Sequence, residues 1–165
     1  MNRQEILHEI NKAKEHLANM EKVLKECKYE RCKPKKNETY YFVNSFGEVD
    51  QDLGSTGFIS DIKRYYAYNC FETKEQAKQE SEKILVRRQL EDIAKRLNKG
   101  KKIDWKNYNQ SKCFICIQED GKGITWDIED RYKRQGVVYC LKTNFIDVAI
   151  QEIGEERLEK YLRGE

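Results

Sequence analysis

Residues 73–100 read TKEQAKQESEKILVRRQLEDIAKRLNKG. The segment opens as Thr-x-x-Gln, the pattern of a capping box, in which a threonine and a glutamine pair with backbone N–H groups at a helix start. Apolar residues then recur at helical spacing, and Gly100 stands where a helix commonly ends. The pattern predicts one long helix from Thr73 to about Leu97. Its expected buried face consists of Ala77, Ile84, Leu90, Ile93, Ala94 and Leu97.

A β-rich segment lies on each side of this helix. Residues 39–50 are rich in tyrosine, phenylalanine and valine and are interrupted by residues 45–47, which end in glycine. Residues 113–128 show the same character and are interrupted at Asp120-Gly121. Each segment therefore predicts a β-hairpin with a glycine in its turn.

The order of elements repeats. Each hairpin is followed by a polar loop, a short predicted strand (residues 65–71 and 136–141) and a helix, and Phe71 aligns with Cys140 without gaps. We therefore predict an internal duplication with halves 39–100 and 103–165. Two such halves would form one α+β domain, with a mostly antiparallel sheet carrying helices on one face.

The chain is predicted to end in a helix. The second half continues as a helix through Ile153, and residues 154–162 then predict a short terminal helix after a break at Gly154. Its docking residues would be Leu158, Tyr161 and Leu162.

An apolar stripe of period 3.5 marks the first 30 residues. Such a seam predicts a coiled-coil arm that either self-associates with a partner chain or folds back onto the body, and both alternatives stay open. Residues 31–38 contain Pro34, the only proline, and form the predicted linker. The seam comprises Ile6, Ile10, Ala13, Leu17, Met20, Leu24 and Cys27.

Composition excludes several classes of protein. The chain of 165 residues is 38% hydrophobic and 37% charged, with a net charge of +3, which suits one small domain with an arm. No long apolar run or export signal is present, so we expect a cytoplasmic protein without a membrane partner. In that compartment the six cysteines are expected to be structural thiols. They are Cys27, Cys32, Cys70, Cys113, Cys116 and Cys140.

The sequence offers little catalytic or metal-binding chemistry. Cys113 and Cys116 form a Cys-x-x-Cys inside a predicted strand, where side chains three apart point to opposite faces and cannot share one ion. Both histidines, His8 and His16, lie on the arm. The acids of residues 119–130 are typical of solvated turns. We therefore expect no enzyme, no catalytic residue, no metal and no cofactor.

Two polar loops combine basic and tyrosine side chains. Cations neutralise phosphates and tyrosine faces stack on bases, so these loops are the candidate ligand- or partner-binding surface. The alternative is ordinary solvated charge beside core tyrosines. The candidate residues are Lys63, Arg64, Tyr65, Tyr66, Arg131, Tyr132, Lys133 and Arg134.

Several short motifs carry a resemblance to a known family. They are residues 40–47, 69–77, 103–105, 138–139 and 149–154. With them, the chain resembles small proteins encoded by phages and prophages of Gram-positive bacteria, which often have a helical N-terminal arm. The resemblance implies an accessory protein of a mobile element, a class whose common tasks include blocking host defence, and it supplies no catalytic residues.

These observations favour a non-enzymatic, oligomeric binding protein that inhibits a bacterial antiviral defence. Its partner would be a host defence protein, such as a CRISPR nuclease, or the nucleotide signal of an immune system. The alternative is a nucleic-acid-binding accessory protein of a phage.

Overall fold

The computed structural model describes Lys12, Lys14, residues 32–55 and residues 57–165. The chain divides into two units, Met1–Lys33 and Pro34–Glu165, and this boundary falls within the predicted linker. Lys12 and Lys14 are helical and exposed. The predicted coiled-coil seam lies outside the described residues.

The second unit is an α+β body, as predicted. Its strands form two separate antiparallel hairpins, so the predicted single sheet is wrong. The reason is that each hairpin meets only one further backbone residue, through the bridges Tyr41–Phe71 and Cys113–Cys140. The elements in chain order are β1 (Thr39–Val43), β2 (Val49–Leu53), α1 (Ile59–Tyr66), α2 (Lys74–Asn98), β3 (Lys112–Ile117), β4 (Ile124–Glu129), α3 (Phe145–Ile153) and α4 (Glu155–Arg163).

Helix α2 confirms the prediction made for residues 73–97. The Thr73 Oγ1 accepts from the Gln76 N–H at 3.2 Å, and the Gln76 side chain accepts from the Thr73 N–H at 3.2 Å, so both halves of the capping box form. Lys99 takes the left-handed conformation, with φ of 49°, and ends the helix. Of the residues predicted to face inward, Ile84 and Leu97 are half-buried and the other four are buried.

The first hairpin packs on the N-terminal half of α2. Its turn needs Gly47, whose φ is +89° and where a Cβ would lie 2.9 Å from Leu85 Cδ2. The Ser81 hydroxyl of α2 donates to the Gly47 carbonyl, which fixes the turn against the helix. Tyr40 and Val43 of β1 are both buried, on opposite faces of the strand.

The C-terminal half of α2 packs against the second hairpin, α3 and α4. This core confirms the predicted terminal helix, since Leu158 is fully buried while Tyr161 and Leu162 pack against it. No described helix is both long and apolar enough to cross a bilayer. The buried members of the core are Val86, Leu90, Ile93, Ala94, Ile115, Ile124, Cys140, Phe145, Ala149, Ile153 and Leu158.

The two short predicted strands are wrong. Tyr65 and Tyr66 end α1, which is tied to the first hairpin by the buried Asp61, and only Phe71 of residues 65–71 pairs with a strand. In residues 136–141, only Cys140 pairs. Tyrosine and valine favour strands only where a neighbouring strand offers a surface, and here one residue in each segment has that surface. Each half thus contains a hairpin, a bridging residue and a following helix, but only the first half contains α1. The internal duplication stays a prediction.

Candidate ligand-binding groove

A groove of about 540 Å³ runs along the C-terminal half of α2. One wall is α2, and the others are residues 103–105 and the loop of residues 133–139. This volume falls within the range of small-molecule sites, roughly 300–1,000 Å³. The lining residues are Arg87, Glu91, Ala94, Lys95, Asn98, Ile103, Trp105, Lys133, Gln135, Gly136, Val137, Val138 and Tyr139.

Two aromatic residues, Trp105 and Tyr139, line the groove, and Phe114 packs against Tyr139. Tyr139 is buried, and its ring meets Trp105 edge to face with centroids 4.9 Å apart and Phe114 with centroids 5.6 Å apart. Trp105 is half-buried and lines the groove. The Arg134 guanidinium lies 4.9 Å from the centre of the Phe114 ring. Such packed rings are rigid, so Trp105 is held in place as a surface on which a planar ligand can rest.

A buried lysine joins the two chain segments beside Trp105. The side chain of Lys112 has 0% exposure, and its Nζ donates to the carbonyls of Asn107, at 2.9 Å, and Asp130, at 3.2 Å. The same ammonium lies 5.4 Å from the centre of the Trp105 ring. A buried cation is tolerated only when it is hydrogen-bonded. Lys112 therefore positions the segment that carries Trp105.

The charged lining of the groove is mostly positive. Arg87 forms an ion pair with Glu91 at 3.0 Å, one helical turn away. The side chains of Lys95 and Lys133 form no ion pair or hydrogen bond with any residue in the described part of the chain. Two cations are thus available to an anionic ligand.

Asn98 contributes a polar side chain that is 9% exposed. Its Oδ1 accepts from the Leu141 N–H at 2.8 Å and from the Cys140 thiol at 3.3 Å. These bonds connect the end of α2 to the chain after the groove loop and keep that loop close to the helix.

Of the predicted site residues 131–134, only Lys133 lines the groove. Arg134 pairs with Glu129 at 3.6 Å, Arg131 lies 3.9 Å from the Asp130 carboxylate, and Tyr132 is exposed. The Glu129 carboxylate accepts from the backbone N–H groups of Arg131, Tyr132 and Asp130, and these bonds lower its pKa. Glu129 therefore holds the loop in one conformation.

The other predicted site, residues 63–66, lies on α1. Arg64 donates to Asp52 at 2.8 Å and to the Tyr40 hydroxyl at 2.5 Å, and its guanidinium covers the Phe42 ring at 3.5 Å. The Arg64 hydrogen bond lowers the pKa of Asp52. Arg64 is therefore used within the fold, whereas Lys63 and Tyr66 are exposed.

Cys113 and Cys116 of the second hairpin, and Cys140, which bridges to Cys113, are free thiols. Burial raises the pKa values of Cys113, Cys116 and Cys140, so they stay protonated at neutral pH. Cys113 is buried and Cys116 half-buried. Within the described ranges, no group of three or more possible ligands is placed to hold a metal ion.

Reasoning from charge and tyrosine content missed Trp105, Tyr139 and Asn98. Trp105 and Tyr139 lie in residues 103–105 and 138–139, two of the motifs on which the expected resemblance to phage proteins rests. These motifs face the groove or support it.

Comparisons with protein-family models, with curated proteins and with solved structures found no match to this chain.

Proposed function

We propose that this chain is a non-enzymatic phage or prophage protein that inhibits a bacterial antiviral defence by sequestering its nucleotide signal. The observation that carries the proposal is the groove, in which Lys95 and Lys133 are available beside Trp105. A nucleotide presents a phosphate to such cations and a planar base to such a ring. A protein that only sequesters a signal needs this recognition and no reaction.

The lack of enzymatic activity in this proposal rests on the chemistry of the groove. The only histidines of the chain are His8 and His16, outside the α+β body. Nucleophilic catalysis by serine or cysteine commonly uses a histidine as base. The nearby Cys140 thiol donates to Asn98 and is held protonated by burial, so it is a poor nucleophile.

We further propose that the protein acts in the host cytoplasm and self-associates through its N-terminal seam. The signal of an intracellular defence is made in the host cytoplasm, where the protein would act. Self-association through the seam would place several grooves on one particle. Light scattering of the full-length chain tests the seam: Ile10→Glu with Leu17→Glu is expected to give monomers. An unchanged mass would contradict a role of the seam in assembly.

Purification from cells carrying an active defence tests the function directly. The expected result is a co-purified nucleotide, released on denaturation and identified by mass spectrometry. Lys95→Glu with Lys133→Glu should lose it, whereas Lys78→Glu, an exposed change on α2 away from the groove, should retain it. A host nuclease in place of a nucleotide would favour the inhibitor of a CRISPR nuclease. If neither co-purifies and infection is unaffected, the proposal fails.

A nucleic-acid-binding accessory protein is the second candidate. The observation that favours it is a basic turn just beyond the groove end of α2, where Lys99, Lys101 and Lys102 are exposed. Binding to a nucleic acid backbone weakens steeply with added salt: for each phosphate contact, a tenfold rise in salt lowers the binding constant by about tenfold. Charge reversal at Arg131, Lys133 and Arg134 should reduce this dependence of the binding constant on salt. Binding that is absent or independent of salt removes this candidate.

A further inference from the structure

Asn98 has an unused donor at the wall of the groove. Because a backbone N–H can only donate, the bond from Leu141 fixes which end of the Asn98 amide is oxygen. The Oδ1 also accepts the Cys140 thiol. The Nδ2 group therefore carries two N–H donors, and neither is bonded to a residue in the described part of the chain.

A donor that is buried and unpaired is costly. The cost of leaving it without an acceptor is about one hydrogen bond, and native proteins pair nearly all such groups. Asn98 is 9% exposed, and it lines the groove. An acceptor atom of a ligand in the groove would satisfy this donor.

We infer that Asn98 reads the base of the bound nucleotide, by donating from Nδ2 to a carbonyl oxygen or ring nitrogen of that base. The inference rests on the proposed function and specifies its ligand. The ligand is then a nucleotide whose base lies at the Trp105 end and whose phosphate contacts Lys95 and Lys133. A sugar phosphate without a base leaves the Asn98 donor unpaired.

The spacing along α2 fits this arrangement. Arg87, Glu91, Lys95 and Asn98 follow one another at intervals of four, four and three residues, which places them on one face of the helix. Three residues at about 1.5 Å each separate Lys95 from Asn98 by roughly 4.5 Å along the axis. The groove thus places a cation for a phosphate about one helical turn from the Asn98 donor for a base.

The variant Asn98→Asp tests the inference on the full-length chain. It keeps an oxygen for the Leu141 N–H and the Cys140 thiol, keeps the shape of the side chain and removes the NH₂ donor. Gln89→Glu is the matched control, because it makes the same charge change on an exposed part of α2 outside the groove. Circular dichroism verifies that both variants fold.

Calorimetric titration would compare seven probes: adenosine, guanosine, cytidine and uridine 5′-monophosphates, cyclic di-adenylate, cyclic di-guanylate and ribose 5-phosphate. Wild type is expected to bind its preferred nucleotide at least about tenfold more tightly than ribose 5-phosphate. Asn98→Asp should lose about tenfold of that preference, and Gln89→Glu should keep it.

Two results would overturn the inference and leave the proposed function standing. One is a base preference that survives in Asn98→Asp. The other, which needs no variant, is wild type binding ribose 5-phosphate as tightly as every nucleotide, since the groove would then recognise phosphate alone. If wild type binds no probe, the proposed nucleotide ligand and the inference fail together.

Discussion

Replacing Tyr40 with phenylalanine should remove the centre of the polar network that fastens α1 to the first hairpin. Tyr40 is 2% exposed, and its hydroxyl donates to Asp61 at 2.8 Å and accepts from Arg64 at 2.5 Å. Without that hydroxyl, the buried Asp61 retains the Ser55 N–H as its partner at 2.8 Å. Loss of a hydrogen bond to a buried charged group costs about 1.5–3 kcal/mol, so Tyr40→Phe should lower the free energy of unfolding by this amount near neutral pH.

The same substitution should change the response to alkali. Burial, the largest cause, raises the pKa of Tyr40 to about 12, whereas an unfolded tyrosine has a pKa of about 10. Below pH 10 both states keep the proton. Between pH 10 and 12 the unfolded chain releases it while the folded chain retains it, so the stability due to Tyr40 falls as pH rises. The loss is about 1.4 kcal/mol at pH 11 and about 3 kcal/mol above pH 12.

Urea unfolding followed by circular dichroism at pH 8, 9, 10 and 11 measures this effect. Other groups also titrate in this range, among them Tyr161, whose pKa is raised by burial. The difference in free energy of unfolding between wild type and Tyr40→Phe removes the contributions of these other groups. That difference should shrink by about 1.4 kcal/mol from pH 8 to pH 11. A constant difference would show that the fold does not hold the Tyr40 phenol neutral, and would refute the reasoning.

Three further predictions concern single residues. Thr73→Ala removes the side-chain acceptor of the α2 capping box and should lower the free energy of unfolding by about 1 kcal/mol in urea; no change would mean that the cap is redundant. Lys112→Met leaves the Asp130 carbonyl without its donor and the Asn107 carbonyl with the Gln110 N–H alone, and it should shift the tryptophan fluorescence and cost about 1–3 kcal/mol, whereas an unaltered spectrum would contradict its positioning role. Gly54→Ala places a Cβ 2.2 Å from the Lys35 carbonyl oxygen and should lower the melting temperature more than Gly100→Ala, whose Cβ meets no atom within 4 Å and which carries only the backbone strain of its φ of +77°; equal effects would oppose this packing.

Helix α2 and the two hairpin turns could be predicted from the sequence because their determinants are local. A capping box joins Thr73 to Gln76, three residues away, and the Gly47 turn is decided within five residues. The separation of the two hairpins could not be predicted this way. It depends on α2 packing one hairpin on each half, which involves pairs such as Ser81 and Gly47, 34 residues apart.

The candidate site, too, could be predicted only in part from the sequence. Its general character, basic and aromatic side chains and a binding role, followed from composition, and Lys133 was among the predicted residues. Arg64 carries the same charge, yet the tertiary structure places it against Asp52 and Tyr40. Whether a cation binds a ligand or a neighbouring side chain depends on which carboxylates the fold brings near it.

By itself, the sequence determined α2, the two hairpins, the terminal helix and the predominance of basic and aromatic groups, because these follow from residues within a few positions of one another. The tertiary structure decided the groove. It brought Asn98 to Leu141, 43 residues later, set Trp105 against Tyr139, and buried Lys112 against carbonyls from two loops. These contacts arise from packing between distant segments, and no local pattern encodes them.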